Sequence, residues 1–117
     1  MVDFHGRVPE PFSALAAADL MVAPSLSDSF PDTVLEALHV GTPVIGSQVG
    51  GITEQLVHEE LLFPPMNAEA IADRIEKCIR EPEFYRRARR LCASRRSKFE
   101  FDWAEAWEKA IGPLISR

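Results

Sequence analysis

Short apolar runs separated by helix-length patterns fill the first half of the chain and constrain its fold more than any other feature. The candidate strands are Val2 to Phe4, Leu20 to Ala23, Pro43 to Gly46 and Leu61 to Phe63. Brief apolar strands that alternate with helices are typical of a parallel sheet with crossover helices. We therefore predict an α/β fold with a short parallel sheet, in a βαβαβ arrangement.

Two helices are predicted between these strands. Pro11 to Ala18 is Ala-rich and has a helical pattern. The second, Thr33 to Val40, follows Asp32, whose carboxylate can accept hydrogen bonds from the free N–H groups of the first turn. Gly41 is expected to end this helix, because glycine readily adopts the left-handed conformation found just after a helix C-terminus.

The pattern changes to helices alone from Asn67 onward. The predicted helices are Ala68 to Arg80, about Pro82 to Phe99, and Trp103 to Ile115. We predict one partial domain over residues 1–117, with a ligand-binding α/β part at 1–66 and a helical part at 67–117. About four strands fall short of the five or six usual for a doubly wound domain, so we expect further strands upstream and an exposed sheet edge that could pair with a second copy.

Charge and cysteine content restrict the partners and the compartment. The net charge is −5 with a pI near 5.2, which disfavours nucleic acid and favours a small-molecule ligand. Eight cations crowd residues 80–98, either as a solvated helix face or as a surface that touches phosphates or lipid headgroups. Cys78 and Cys92 match no metal-ligand spacing, and no secretory signal opens the chain, so we expect a cytoplasmic protein whose membrane contact is at most peripheral.

The segment from Pro24 to Leu38 carries the strongest chemical signal. A strand gives way to a small polar loop, and a helix begins near Thr33. Ligands of open α/β sheets bind where strands end and helix N-termini offer N–H groups, so a diphosphate would suit Asp32 to Leu35. Asp28 and Glu36 would repel that diphosphate, and their expected partners are hydroxyl groups of a ribose or a sugar.

Several segments together carry a family resemblance. They are Ala17 to Ser25, Asp28 to Pro31, Leu35 to Leu38, Gly41 to Ile45 and Val49 to Glu54, preceded by Val2 to Val8. In order and spacing they resemble the C-terminal, donor-nucleotide-binding domain of retaining GT-B glycosyltransferases of group 1, the GT4 family. The resemblance covers about residues 2–80 and implies a partial Rossmann-like, three-layer fold with a short parallel sheet and C-terminal helices.

The resemblance also implies a role for each site residue. Glu36 corresponds to the second acid of the family's E-x7-E motif, which takes the ribose hydroxyls, and Asp28 to the first acid, which faces the donor sugar near the reacting centre and is expected to be catalytic. The residues expected to bind the sugar and diphosphate through backbone N–H groups are Phe30, Pro31, Asp32, Thr33, Val34 and Leu35. Arg7 and Val8 are expected to line the base. The family needs neither a metal nor a cofactor, only the nucleotide-diphosphate-sugar donor.

Other interpretations of these residues stay open on the sequence alone. Asp28 is one methylene shorter than the family's glutamate and could be a plain loop or capping residue. Glu36 could be a solvated helix acid. Gly50 and Gly51 could form only a strand-to-helix turn, or they could bring backbone close to a donor sugar.

Three functions are compatible with these features. The first is the donor domain of a group 1 glycosyltransferase that binds a nucleotide-sugar and is inactive without an N-terminal acceptor half, supplied by another chain or lost by truncation. The second is a stand-alone module that binds nucleotide-sugars without catalysis. The third is a structural module that associates with itself through an exposed sheet edge.

Overall fold

The computed structural model of the chain describes residues 11–26 and 32–115, and the side chains of 13–26 and 32–99. Its strands are β1 (Met21–Ala23), β2 (Val44–Ser47) and β3 (Leu62–Phe63). They form a parallel sheet in the order β1-β2-β3, with Val22 opposite Ile45 and Ser47 opposite Phe63. The predicted α/β class and three of the predicted strands are confirmed, and Val2 to Phe4 lies outside the described residues.

Helices connect and follow the strands. They are α1 (Pro11–Ala17), α2 (Asp32–Val40), α3 (Gly50–Leu56), α4 (Ala68–Arg80) and α5 (Pro82–Ile115), with a 3₁₀ helix at Glu59–Leu61 before β3. The prediction for α4 is confirmed at both ends, and Asn67 caps its N-terminus by accepting a hydrogen bond from the Ala70 N–H at 2.9 Å. Gly41 follows α2 with φ of +87°, so the predicted stop of that helix is confirmed as well.

Two local predictions need correction. One helix, α5, runs through the predicted break between Phe99 and Trp103, because no proline or glycine interrupts that stretch. Asp32 was predicted to cap a helix that begins at Thr33, but it is itself the first residue of α2.

The sheet is the middle of three layers. Alternate strand residues point to opposite faces, and each face has its own apolar cluster. On one face Val44 and Leu62 pack with residues of α2, α3 and α5, among them Leu38, Ile52 and Ala88. On the other face Ile45 and Phe63 pack with Cys78 of α4 and with the start of α5. This confirms the three-layer arrangement implied by the family resemblance.

Close packing fixes α3 against β2. A Cβ atom built on Gly46 would lie 2.7 Å from the Ile52 side chain, so only glycine lets the helix approach the strand this closely. Ile52 and Leu56 of α3 are fully buried as a result. Within residues 11–26 and 32–115, no helix combines the length and apolarity needed to cross a membrane.

The amino end of the sheet rests on α5. Cys92 of α5 lies against the start of β2, where the Val44 N–H donates to its Sγ at 3.3 Å. The Tyr85 hydroxyl donates to the Asp19 carbonyl, just before β1, at 2.6 Å. Arg95 donates to the carbonyl of Gln55, near the end of α3, at 2.8 Å. The described part of α5 therefore lies across the amino end and leaves the carboxyl edge to other groups.

Candidate functional site

The carboxyl ends of β1 and β2 define the edge where a ligand of this fold would bind. β1 ends at Ala23 and β2 at Ser47, and the helices that follow them, α2 and α3, begin at this same edge and contact each other. The buried Ser47 hydroxyl donates to the Ala23 carbonyl at 3.3 Å. This hydrogen bond joins the two strand ends immediately below the loops that would hold a ligand.

Glu36 is the most informative side chain at this edge. Its Oε2 atom is buried and has no hydrogen-bond partner among the described residues. Burial raises the pKa of the Glu36 carboxyl, and the carboxylate of Asp32, one helical turn earlier, raises it further. An unpaired buried carboxylate oxygen is costly, and it is not what a solvated helix acid would show. Within the described part of the chain, the geometry instead presents an acceptor without a donor.

The start of α2 supplies groups of the opposite polarity. The first N–H groups of a helix have no partner within the helix, and the N-terminus carries a partial positive charge. Asp32 and Thr33 are exposed here, and Leu35 is half-buried. Val34 is fully buried in the core, so it can reach a ligand only through its backbone. The predicted contact, in which the backbone of residues 32–35 faces an anion, stays a prediction.

Gly50 and Gly51 open α3 rather than forming a free loop. Gly50 is exposed with φ of +35°, and Gly51 is buried. No side chain caps this helix, because the residue before it is Val49. The two glycines therefore begin the helix that follows β2. They lie at the carboxyl edge, where their backbone could also approach a ligand.

The structure gathers only part of the predicted site. Asp32, Thr33, Val34, Leu35 and Glu36 lie together on α2, and Gly50 and Gly51 begin the neighbouring helix at the same edge. Asp28, Phe30, Pro31, Arg7 and Val8 lie outside the described residues. Among the described residues, no three His, Cys, Asp or Glu side chains come close enough to hold a metal ion.

Sequence reasoning missed Ser47. Its hydroxyl is fully buried at the carboxyl edge, where it ties β2 to β1. A polar residue directly after the apolar run Val44-Ile45-Gly46 was the available signal, since the end of a buried strand is where loops that carry function begin.

Comparison with known proteins places this geometry in a family. The model described as glycosyl transferases group 1 matches residues 1–92. A GDP-mannose-dependent alpha-(1-6)-phosphatidylinositol dimannoside mannosyltransferase of Mycobacterium tuberculosis is 32% identical over 116 residues, which are 97% of this chain and 29% of that protein. A putative teichuronic acid biosynthesis glycosyltransferase, TuaC of Bacillus subtilis, is 44% identical over 64 residues, or 54% of this chain and 16% of that protein.

Solved structures agree on the fold. Sucrose-phosphate synthase from Thermosynechococcus elongatus superimposes with a TM-score of 0.67 at 28% identity, covering 89% of this chain and 27% of that one. HepE of Anabaena, solved in complex with UDP-glucose, superimposes with a TM-score of 0.68 at 22% identity, covering 88% of this chain and 29% of that one. These neighbours are GT-B glycosyltransferases.

This chain spans less than a third of the length of each of these four proteins. The family match itself covers most of the chain and includes the carboxyl edge described above. On that match, and on the relative that aligns over nearly the whole chain, the protein belongs to the family of group 1 glycosyl transferases.

Proposed function

We propose that this chain forms the donor site of a retaining glycosyltransferase and binds a nucleotide-diphosphate-sugar at the carboxyl edge of its sheet. The observation that carries the proposal is the buried Glu36 oxygen without a partner among the described residues. Two vicinal ribose hydroxyls are donors of the kind that such a carboxylate accepts. The family match supports assigning Glu36 to the ribose.

The start of α2 is proposed to hold the diphosphate. The unpaired N–H groups of residues 32–35 and the positive end of the helix dipole favour a bound phosphate. As the glycosyl bond breaks, negative charge grows on the leaving diphosphate, and fixed dipoles aimed at that charge lower the barrier. Asp28 is proposed to face the sugar, where positive charge develops at the anomeric carbon.

The acceptor is proposed to bind outside this chain. The chain corresponds to under a third of its relatives' length, and the donor half of a two-domain enzyme holds only one of the two substrates. We therefore expect the purified chain to bind the donor weakly and to transfer little or no sugar. A measurable transfer rate from this chain alone would overturn that part of the proposal.

The first experiment is calorimetric titration with UDP, GDP and ADP and with their glucose or mannose conjugates. GDP-mannose is the first donor to test, since the relative that aligns over 97% of the chain is GDP-mannose-dependent by name. Binding of one nucleotide is expected, and it should be unchanged by EDTA because the proposed site uses no metal.

Two variants make the titration specific. Glu36→Ala should reduce affinity by at least tenfold, because it removes the ribose acceptor. Glu69→Gln, which removes the same charge from an exposed position in α4, is the matched control and should leave affinity unchanged. Equal binding by both variants would show that Glu36 does not contact the donor.

If no nucleotide binds, the stand-alone binding module is excluded, and either the chain needs its other half to bind the donor or only the fold of the enzyme remains. Sedimentation of the chain over a range of concentrations would then test the remaining alternative, association through the sheet edge.

A further inference from the structure

The arginine-rich stretch of residues 80–98 is not used by the proposed donor site. It holds eight cations and two acids, whereas the whole chain has a net charge of −5. Six of these cations fall into two groups in the structure. Arg80 pairs with Glu76 at 2.8 Å, Arg87 pairs with Glu60 at 2.8 Å, and Arg95 binds the carbonyls of Glu54 and Gln55.

The second group shares one outward face of α5. Arg86, Arg89, Arg90 and Ala93 line a common surface groove, as expected from their helical spacing. Arg86 also pairs with Glu83, whereas Arg89 and Arg90 have no ion-pair or hydrogen-bond partner among the described residues. We call this surface, formed by Arg86, Arg89, Arg90 and Ala93, the basic face.

The basic face points away from the core. The opposite side of α5 contributes Ala88 and Cys92, both almost fully buried, to the packing against α2 and β2. Because α5 lies across the amino end of the sheet, the basic face and the carboxyl edge are at opposite ends of the sheet. Contact at one therefore leaves the other accessible.

The chemistry of the basic face points to phosphate groups. All three of its charged residues are arginines, whose planar guanidinium groups bind phosphate oxygens in pairs. Protein interfaces instead depend on a buried apolar or aromatic centre, and Ala93 is the one apolar residue of the basic face. Phe84, Tyr85 and Phe99 lie on the packed side of α5, so the stacking that binds single-stranded nucleic acid is not available here.

We propose that the basic face docks the protein on the surface of an anionic lipid bilayer. The attraction of lipid phosphates falls off within a Debye length, about 8 Å at physiological salt. The molecule measures 27 Å along its shortest axis, so charges on the surface opposite the basic face lie outside the field. Docking is electrostatic and peripheral, and the donor site at the carboxyl edge stays open to solvent.

The test is co-sedimentation of the chain with vesicles. Vesicles of phosphatidylcholine with about 30% phosphatidylglycerol should bind the chain, and vesicles of phosphatidylcholine alone should not. Raising the salt from about 50 mM to about 500 mM should release it, because salt screens exposed charges. Absence of binding to the anionic vesicles at low salt, or equal binding to both kinds, would overturn the proposal.

A pair of double variants separates the basic face from total charge. Arg89→Gln with Arg90→Gln should weaken partitioning by roughly 30-fold, from about 1 kcal/mol for each basic residue at an anionic surface. Arg80→Gln with Arg87→Gln removes the same charge from residues already paired and should weaken it only a few-fold. Circular dichroism melts show whether each variant is folded, and equal weakening in two folded variants would overturn the proposal.

Other occupants would give different results. Binding of a double-stranded oligonucleotide that is lost in the Arg89/Arg90 variant, without binding to vesicles, would assign the basic face to nucleic acid. A concentration-dependent dimer lost in that variant would assign it to a second copy of the chain. Either result would overturn the bilayer proposal and leave the donor site untouched, because nucleotide titration of the Arg89/Arg90 variant reports on the carboxyl edge alone.

Discussion

The two ends of the sheet differ in what their polar groups contact. At the amino end, the Val44 N–H donates a hydrogen bond to the Cys92 sulfur, and the Tyr85 hydroxyl donates one to the Asp19 carbonyl. At the carboxyl end, Ser47 bonds to Ala23, yet the buried Glu36 oxygen has no partner among the described residues. Buried polar groups in folded proteins are nearly always paired. The hydrogen bonds at the amino end hold α5 against the sheet, whereas the Glu36 oxygen without a partner among the described residues supports the ligand site proposed at the carboxyl end.

Helix α2 contains this contrast within nine residues. Leu38, near the end of α2, lies in the core and is 2% exposed. Glu36 lies two residues earlier, at the carboxyl edge of the sheet. Substitutions of these two side chains should therefore separate stability from binding, although they are only two positions apart.

Leu38→Ala is expected to have the largest effect, a loss of about 3 kcal/mol in the free energy of unfolding, because it removes buried methyl groups and leaves a cavity. The folded fraction should still bind the nucleotide with unchanged affinity. Urea unfolding gives the first quantity, and titration under conditions where the variant remains folded gives the second. Leu26→Ala is the control, since Leu26 is 64% exposed and its truncation should cost under about 0.5 kcal/mol.

A large loss of affinity in the folded Leu38→Ala variant would break the comparison. It would mean that core packing at the far end of α2 sets the position of the site, and that the two ends of the sheet are not independent.

Glu36→Gln should have an effect of opposite sign and smaller size. Replacing the half-buried carboxylate, whose Oε2 atom has no partner among the described residues, is expected to stabilise the free protein slightly at neutral pH while weakening nucleotide binding. The pKa of Glu36 is raised by burial and by Asp32, so the folded state holds its proton more tightly than the unfolded state. Stability contributed by this group is therefore present below its ordinary pKa and is lost as the pH rises through the raised value.

The sign of the pH dependence makes this prediction specific. The gain in the free energy of unfolding from Glu36→Gln should be near zero at about pH 4 and should grow toward about pH 7. Urea melts of both proteins across that range measure it, and effects of other carboxyls cancel in the difference. A variant that is less stable than the parent at neutral pH would show that Glu36 makes a stabilising contact in the free protein.

Most of the fold could be predicted from the sequence, because apolar runs and turn residues determine strands and helix ends through neighbours close in the chain. Leu20 to Ala23 and Ala68 to Arg80 were predicted to within a residue at each end. Two helices were predicted, one ending at Phe99 and the next beginning at Trp103, but no proline or glycine lies between them and α5 is continuous. Asp32 was predicted as a cap and lies in the helix, an error of one position at an element end.

The site was less readable, because it depends on contacts between distant segments. The sequence and the family resemblance named Glu36, but they did not distinguish a solvated acid from one with a buried oxygen. That distinction requires the packing of α2. Arg87 and Glu60 are 27 residues apart, so no local sequence pattern indicated that Arg87 is paired while Arg89 and Arg90 have no partner among the described residues.

The smallest predicted effect concerns backbone strain at the amino end. Val57, directly after α3, has φ of +62°, a conformation that is costly for a β-branched residue. It is 52% exposed, so little packing is lost on substitution. Val57→Gly should relieve the strain, and after the greater flexibility of glycine in the unfolded chain is subtracted, it should stabilise the protein by about 0.5 kcal/mol.

Thermal or urea unfolding of Val57→Gly measures this gain. Val57→Ala keeps a Cβ and removes the branching, so its free energy of unfolding should fall between those of the parent protein and Val57→Gly. Nucleotide affinity should stay the same in both, because Val57 ends α3 on the side away from the carboxyl edge. If the glycine variant were stabilised and bound nucleotide less well, strain at the amino end would be holding α3 in its binding position. The two ends of the sheet would then be coupled through that helix, and the separation of stability from binding would fail there.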